Sequence, residues 1–351
     1  MAAVVPTGCA GQFLPAGAQC KAVAVGVDPA SLPPFTALRI LTEWTVEPFL
    51  LTMLVVSSVL YLWGVQRLRA NGVHWQRSRT VSFLVGGVGT IAFVTMSGIG
   101  AYDETLFSVH MGQHMVLSMV SPIFLALGAP VTLALRALPK SGRFRLNAVL
   151  HSRIVRFFCF PLVGFAIFVG SPFILYLTGW YGASLRNIWL HELLHAHFLA
   201  VGCVFFWPLV GVDPVPGRVS HPMRMLILVA TMPLHAVLGL TIMQSRQLLA
   251  SGYYQTAHPV WSDPFSEQQI AGGLLWASGD LVGLLMVVTA LYQWMKASER
   301  EASREDRRLD RLEAQERVRR AREAGEEPPT AGVHTQDRAT DVPGEDHSHA
   351  P

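Results

Sequence analysis

Two pairs of histidines hold the chemistry this chain could perform. His110 and His114 stand four residues apart, as do His191 and His195. On a helix that spacing leaves the members of a pair about 40° apart on one face, a turn from each other. Two such faces brought together would surround one metal ion, or a pair of ions, with imidazole. Met111 and Met115 each follow a histidine directly, and thioethers beside imidazoles favour Cu(I) over Mg²⁺ or Ca²⁺. His235 is the fifth imidazole of this candidate metal set. Glu192 and Asp280 lie in equally apolar surroundings and read as charge partners, or as groups that orient the ligands. His197 falls about 200° round the wheel from His195 and is left out.

The elements that must position these residues are apolar runs. Residues 49–65, 81–99, 106–128, 157–177, 188–212, 225–243 and 270–294 are each close to the roughly 20 residues that cross a bilayer as a helix. Spanning strands are about 10 residues long and alternate in character. The expected fold is therefore all-α, a polytopic membrane bundle of seven transmembrane helices. Charge in the loops orients it. Arg67, Arg69, Arg77, Arg79, Arg136, Lys140, Arg143, Arg145, Arg153, Arg156, Arg218 and Arg224 flank alternate runs, against Arg186 and Arg246 in the other loops. By the positive-inside bias the N-terminus lies outside and the C-terminus in the cytoplasm. Asp103, Glu104, Asp263 and Glu267 then count as charges of the outer loops. The two histidine pairs, His235 and Asp280 share the outer half of the bilayer, where an ionisable group is a functional candidate by default.

Composition agrees. Charged residues make up 15% of the 351 and hydrophobic types 51%, where a soluble domain carries about 25% charge. From Lys296 onward lie 25 of the 51 charged residues. The chain thus divides into an extracytoplasmic segment (1–46), a membrane domain (47–295), a charged cytoplasmic helix (296–324) and a disordered tail (325–351). Cys9 and Cys20 fall on the oxidising side, as a disulfide or as two free thiols. The formal net charge of +3 sits in orienting loops rather than in a basic patch interleaved with aromatics, so nucleic acid is not an expected partner.

Other chemistries compete for the same residues. His191-Glu192-Leu193-Leu194-His195 matches H-E-x-x-H, two zinc ligands and a general base, which on a membrane helix would make an intramembrane zinc metalloprotease with Asp280 as third ligand. That reading leaves His110, His114 and His235 without a task. Bis-histidine ligation of a b-type haem explains histidines on two helices, but neither the methionines nor the crowding within each pair. A proton or cation transporter built on Asp280 is a further alternative.

Longer strings carry a resemblance. HMGQHM at 110–115, Ser121-Pro122, GAPVTLALRALP at 128–139, HELLH at 191–195, FFWPLVGVDPVP at 205–216 and MPLHAVLG at 232–239 resemble the multispanning CtaG family of cytochrome c oxidase assembly factors. Tyr253-Tyr254, Trp261 and EQQIAGGLLW at 267–276 follow in the same order. The likeness covers about residues 46–294. It implies a bacterial, multi-pass plasma-membrane protein, non-enzymatic, that supports assembly of haem–copper oxidase. It also implies copper, not zinc or haem, held on the outer side for the oxidase catalytic subunit, with extracytoplasmic copper chaperones as further partners. His110, His114, His191, Glu192, His195 and His235 match the family's polar positions. Glu267 stands where the family pattern has Asp, and Glu192 belongs to that pattern, so the protease-like string is no independent sign of proteolysis.

Overall fold

A computed structural model describes residues 32–324, Arg218 and Ser251 excepted. The expectations for Cys9, Cys20 and the tail from 325 lie outside the described residues. Among the described residues the regular elements are helices, with one isolated bridge between Trp44 and Ser97. They are α1 (Ala37–Thr42), α2 (Pro48–Ala70), α3 (Arg77–Met96), α4 (Gly98–Tyr102), α5 (Phe107–Ala137), α6 (Lys140–Leu150), α7 (Arg153–Phe158), α8 (Pro161–Leu177), α9 (Trp180–Leu185), α10 (Ile188–Val210), α11 (His221–Gln244), α12 (Tyr253–Thr256) and α13 (Pro264–Glu323).

Six of them, α2, α3, α5, α10, α11 and α13, are long and apolar enough to cross a membrane, and α8 is apolar with 17 residues. The fourth apolar run starts later than its hydropathy suggests. Phe157 and Phe158 close α7, and Pro161 opens α8. Proline at a first helical position gives up no hydrogen bond, so it starts this helix instead of kinking it. At 1.5 Å per residue α8 is about 25 Å long, slightly short of the ~30 Å hydrocarbon thickness.

The described chain divides after Leu291 into two units. The second, from Tyr292, is the charged part of α13, where residues three or four apart pair along the helix, such as Arg320 with Glu316 at 2.9 Å and Arg308 with Glu305 at 3.4 Å. Exposed pairs of this kind support a helix only weakly.

Within the first unit the packing of α3, α5 and α10 matters most. Ser82–Gly89 in α3 and Val116–Val120 in α5 widen into π-helical turns, which re-phase the residues before them against those after. Hydroxyls then tie the two helices: Ser82 donates to the Phe124 carbonyl at 2.8 Å, and Thr90 and Ser121 share a bond of 2.8 Å. On the other side, α10 meets α5 at Gly202. A Cβ at that position would lie 2.1 Å from the Ser118 carbonyl oxygen and 2.6 Å from the Pro122 ring. Only glycine lets the backbones approach so closely. Gly202 follows His195 by seven residues and His191 by eleven, so all three share one stripe of α10, and this tight contact turns both histidines to the α5 side.

Candidate metal centre

Each histidine pair is set by a helix start one turn away. The Asn187 side chain accepts from the amides of Trp189 and Leu190 and begins α10, so His191 enters in its first turn. On α5 the N-cap Leu106 offers no side-chain bond. Glu267 of α13 supplies it instead, accepting from the Ser108 amide at 3.2 Å and from the Ser108 hydroxyl. A carboxylate at a helix N-terminus also complements the helix dipole. Glu267 thus holds α13 to the start of α5.

The four imidazoles converge. Ring centroids are 4.0 Å apart for His110 and His114, 4.5 Å for His191 and His195, 5.5 Å for His110 and His191, and 5.6 Å for His114 and His195. His110, His114 and His191 are fully buried and His195 is 6% exposed. One nitrogen each from His110, His114 and His191 lie within 4.8 Å of one another, as do ligand atoms of Asp103, His191 and His195. Bonds to a common ion are about 2.0–2.1 Å, so each ring would need to move by under about 1 Å. Among the described residues Nε2 of His114 has no hydrogen-bond partner, and of the two His110 ring nitrogens at most one is served, by the Asp103 backbone. Leaving one such atom buried costs about 1–3 kcal/mol. An ion taking their lone pairs would remove that cost, and in this sense the residues fit a metal. The donor set, neutral imidazole, suits copper or zinc and not Mg²⁺ or Ca²⁺.

Two carboxylates counted as outer-loop charges are in fact inside. Asp103 and Glu104 are 1% and 3% exposed. Tyr102, at the end of α4, is fully buried with its hydroxyl on the Pro33 carbonyl at 2.8 Å, and its own carbonyl accepts from the Thr105 and Leu106 amides. That tight turn folds the acidic pair inward. Glu104 Oε1 comes to 3.7 Å from His191 Nδ1, and Asp103 Oδ2 to 3.9 Å from His195 Nε2. Gln113, also missed, bridges Asp103 and His195 with bonds of 3.1 and 3.0 Å. Sequence offered one signal for it: Gln113 stands between two histidines on an apolar helix.

Aromatic rings seal the cluster. The Tyr176 hydroxyl binds His114 Nδ1 at 3.1 Å, and Phe107, Tyr181 and Phe198 pack on His110 and His114. Tyr181 and Tyr254 share a hydroxyl contact of 2.6 Å. Burial pushes both phenols well above the ordinary tyrosine range, so both remain protonated.

Other candidates lie elsewhere. Met111 and Met115 are buried in the apolar core with Phe107, Tyr176 and Phe198. Met115 lies about 100° round the helix from His114, whereas Met111 is only about 60° from His114 on the same wheel. His235 bonds its own helix, Nδ1 to the Thr231 carbonyl at 2.9 Å, and packs on Phe168 and Gly279. Asp280 is half-buried beside that position and belongs to neither triad. Glu192, 28% exposed, stands 3.8 Å from His195 Nδ1. His197 is exposed.

Fold and site define a helical multi-pass membrane protein with a buried imidazole cluster between two of its spans. The model of the cytochrome c oxidase caa3 assembly factor family (Caa3_CtaG) matches residues 59–297, and the chain belongs to that family. It is a multi-pass protein of the bacterial membrane. Uncharacterized proteins of Mycobacterium bovis and Mycobacterium tuberculosis are each 37% identical to it over 285 residues, and one of Mycobacterium leprae is 35% identical over the same length. The alignments cover 79% of this chain and 43% of each relative, so the chain spans less than half the length of the curated relatives it matches. No solved structure matches it.

Proposed function

We propose that this chain is a non-enzymatic assembly factor that carries copper as cargo on the outer side of the membrane and supports metallation of the cytochrome c oxidase catalytic subunit. The observation that supports this most is the convergence of His110, His114 and His191, with Nε2 of His114 and at least one His110 ring nitrogen buried and without a hydrogen bond among the described residues. The loop charges favour an N-terminus outside and a cytoplasmic C-terminus, which puts the cluster at a depth where a membrane-embedded oxidase subunit could receive the ion. Extracytoplasmic copper chaperones are the natural donors.

The residues divide the work. His110, His114 and His191 hold the ion. Tyr176 holds His114 by Nδ1 and so presents Nε2. Asp103 and Glu104 supply negative charge next to the ligands, which favours a cation. The aromatic shell of Phe107, Tyr181 and Phe198 keeps water out. Imidazoles without a thiolate bind copper firmly enough to hold it and leave it exchangeable, as a carrier needs. The test is elemental analysis of the purified protein after exposure to copper and zinc together, with oxidase activity measured in cells lacking the chain. Copper near one equivalent and a copper-deficient oxidase are expected. Zinc retained without copper would favour a metalloprotease, and a bis-histidine Soret band would favour haem.

A further inference from the structure

Two overlapping triads share His191. His110, His114 and His191 offer nitrogen alone, whereas Asp103, His191 and His195 bring in a carboxylate. The choice between them decides which metals the protein accepts, because oxygen-seeking ions such as Mn²⁺ and Mg²⁺ need the second. Gln113 touches two members of the second, Asp103 and His195, and is itself 1% exposed. Its amide nitrogen lies 2.9 Å from the Val94 carbonyl and 3.1 Å from Asp103 Oδ2, and its amide oxygen 3.0 Å from His195 Nε2.

Only one arrangement of hydrogens satisfies these contacts. Val94 lies in the last turn of α3, where carbonyls lack donors from their own helix. A peptide carbonyl can only accept, so the Gln113 nitrogen must face it, whatever the state of Asp103. The Gln113 oxygen therefore faces His195, and it too can only accept. Nε2 of His195 must carry the hydrogen. Nε2 is also the His195 nitrogen turned towards Asp103, 3.9 Å from Oδ2. The lone pair left to a neutral His195 is on Nδ1, on the side of Glu192.

We propose that Gln113 is a specificity-determining residue: by holding His195 as the Nε2–H tautomer it closes the carboxylate-bearing triad and confines the cargo to His110, His114 and His191. The selected class is an ion content with three neutral imidazoles and an exchangeable fourth position, copper before manganese or magnesium. The identity of the cargo rests on the copper reading above; the tautomer belongs to the metal-free protein and does not. His195 is then a positioning residue, oriented by Gln113 on one edge and facing Glu192 on the other.

The test uses the full chain, metal-free at pH 8, with ¹⁵N-labelled histidine. Ring nitrogen shifts identify each tautomer, and a His195→Gln variant assigns the signal. His195 should be the Nε2–H form. Asp103→Asn should leave it so, because Val94 alone orients the amide. Gln113→Leu should release the tautomer and raise Mn²⁺ affinity about 10-fold or more, the usual scale for a partner that orients a ligand. An Nδ1–H His195 in the wild-type protein overturns the proposal, as does an unchanged tautomer and Mn²⁺ affinity in Gln113→Leu. Should Gln113→Leu fail to fold, the wild-type and Asp103→Asn spectra still decide. An Nε2–H His195 in a protein that binds no copper would sustain the role of Gln113 and remove copper as the cargo.

Discussion

The α5–α10 crossing and the α11–α13 crossing are both made of apolar helices with histidine near a glycine contact, yet they put imidazole to different uses. At the first, four rings from two helices face one another, and Nε2 of His114 has no hydrogen bond among the described residues. At the second, His235 folds back on the Thr231 carbonyl of its own helix, and Gly279 packs on its side chain. A histidine in a membrane helix is thus a ligand candidate when its neighbours prevent it from satisfying itself, and a packing residue when one carbonyl a turn away is within reach. Depth and residue type alone do not separate the two.

Substitution should widen that contrast. His110→Ala, His114→Ala or His191→Ala should each lower copper affinity by more than ~100-fold, beyond the 10- to 100-fold typical of outer partners, while His235→Ala leaves it near wild type; competition titration with a copper chelator reads this. Equal losses at His235 would erase the distinction. Next in size is the helix contact. Gly202→Ala pushes a methyl group to 2.1 Å from the Ser118 carbonyl and should cost about 1–3 kcal/mol, seen as a lower midpoint in thermal unfolding. Gly279→Ala meets only the His235 side chain at 3.0 Å and should cost less. Tyr176→Phe leaves His114 Nδ1 buried without its partner and should lower copper affinity about 10-fold at a cost of about 1–3 kcal/mol in stability.

The smallest effects separate carrier from protease. Glu192→Gln should reduce oxidase activity in part and weaken copper binding by about 10-fold or less, since Glu192 is partly exposed and faces His195 rather than the imidazole triad. A general base would behave otherwise, with metal retained and all activity gone. His197→Ala should lie within about 0.5 kcal/mol of wild type in stability and retain full copper binding.

What sequence could show here was local. The pairs at 110/114 and 191/195 were legible because helical phase is set by spacing alone, and the all-helical membrane class followed from the apolar runs. Asp103 and Glu104 were not, because a charge between two spans looks solvent-facing until the Tyr102 turn is seen to bury it. Met111 and Met115 are buried in the apolar core with Phe107 and Tyr176, a packing environment that adjacency to the histidines does not reveal. Gly202 left a trace, seven and eleven residues beyond the histidines, but its partner Ser118 stands on another helix. Contacts between helices are long-range facts, and a single chain of letters does not pair them.

Gly202 also acts as the fulcrum of the cluster. His191 lies eleven residues away along α10, a lever arm of about 16 Å. Rocking α10 by roughly 5° about that point would carry His191 some 1.4 Å across the gap, well beyond the ±0.2 Å within which metal–ligand distances fall. The other end of α10, Val210, is only about 12 Å from that point, so a small push there would be amplified into a larger displacement of His191; for a carrier of the kind proposed above, that would loosen the cargo without contact at any ligand.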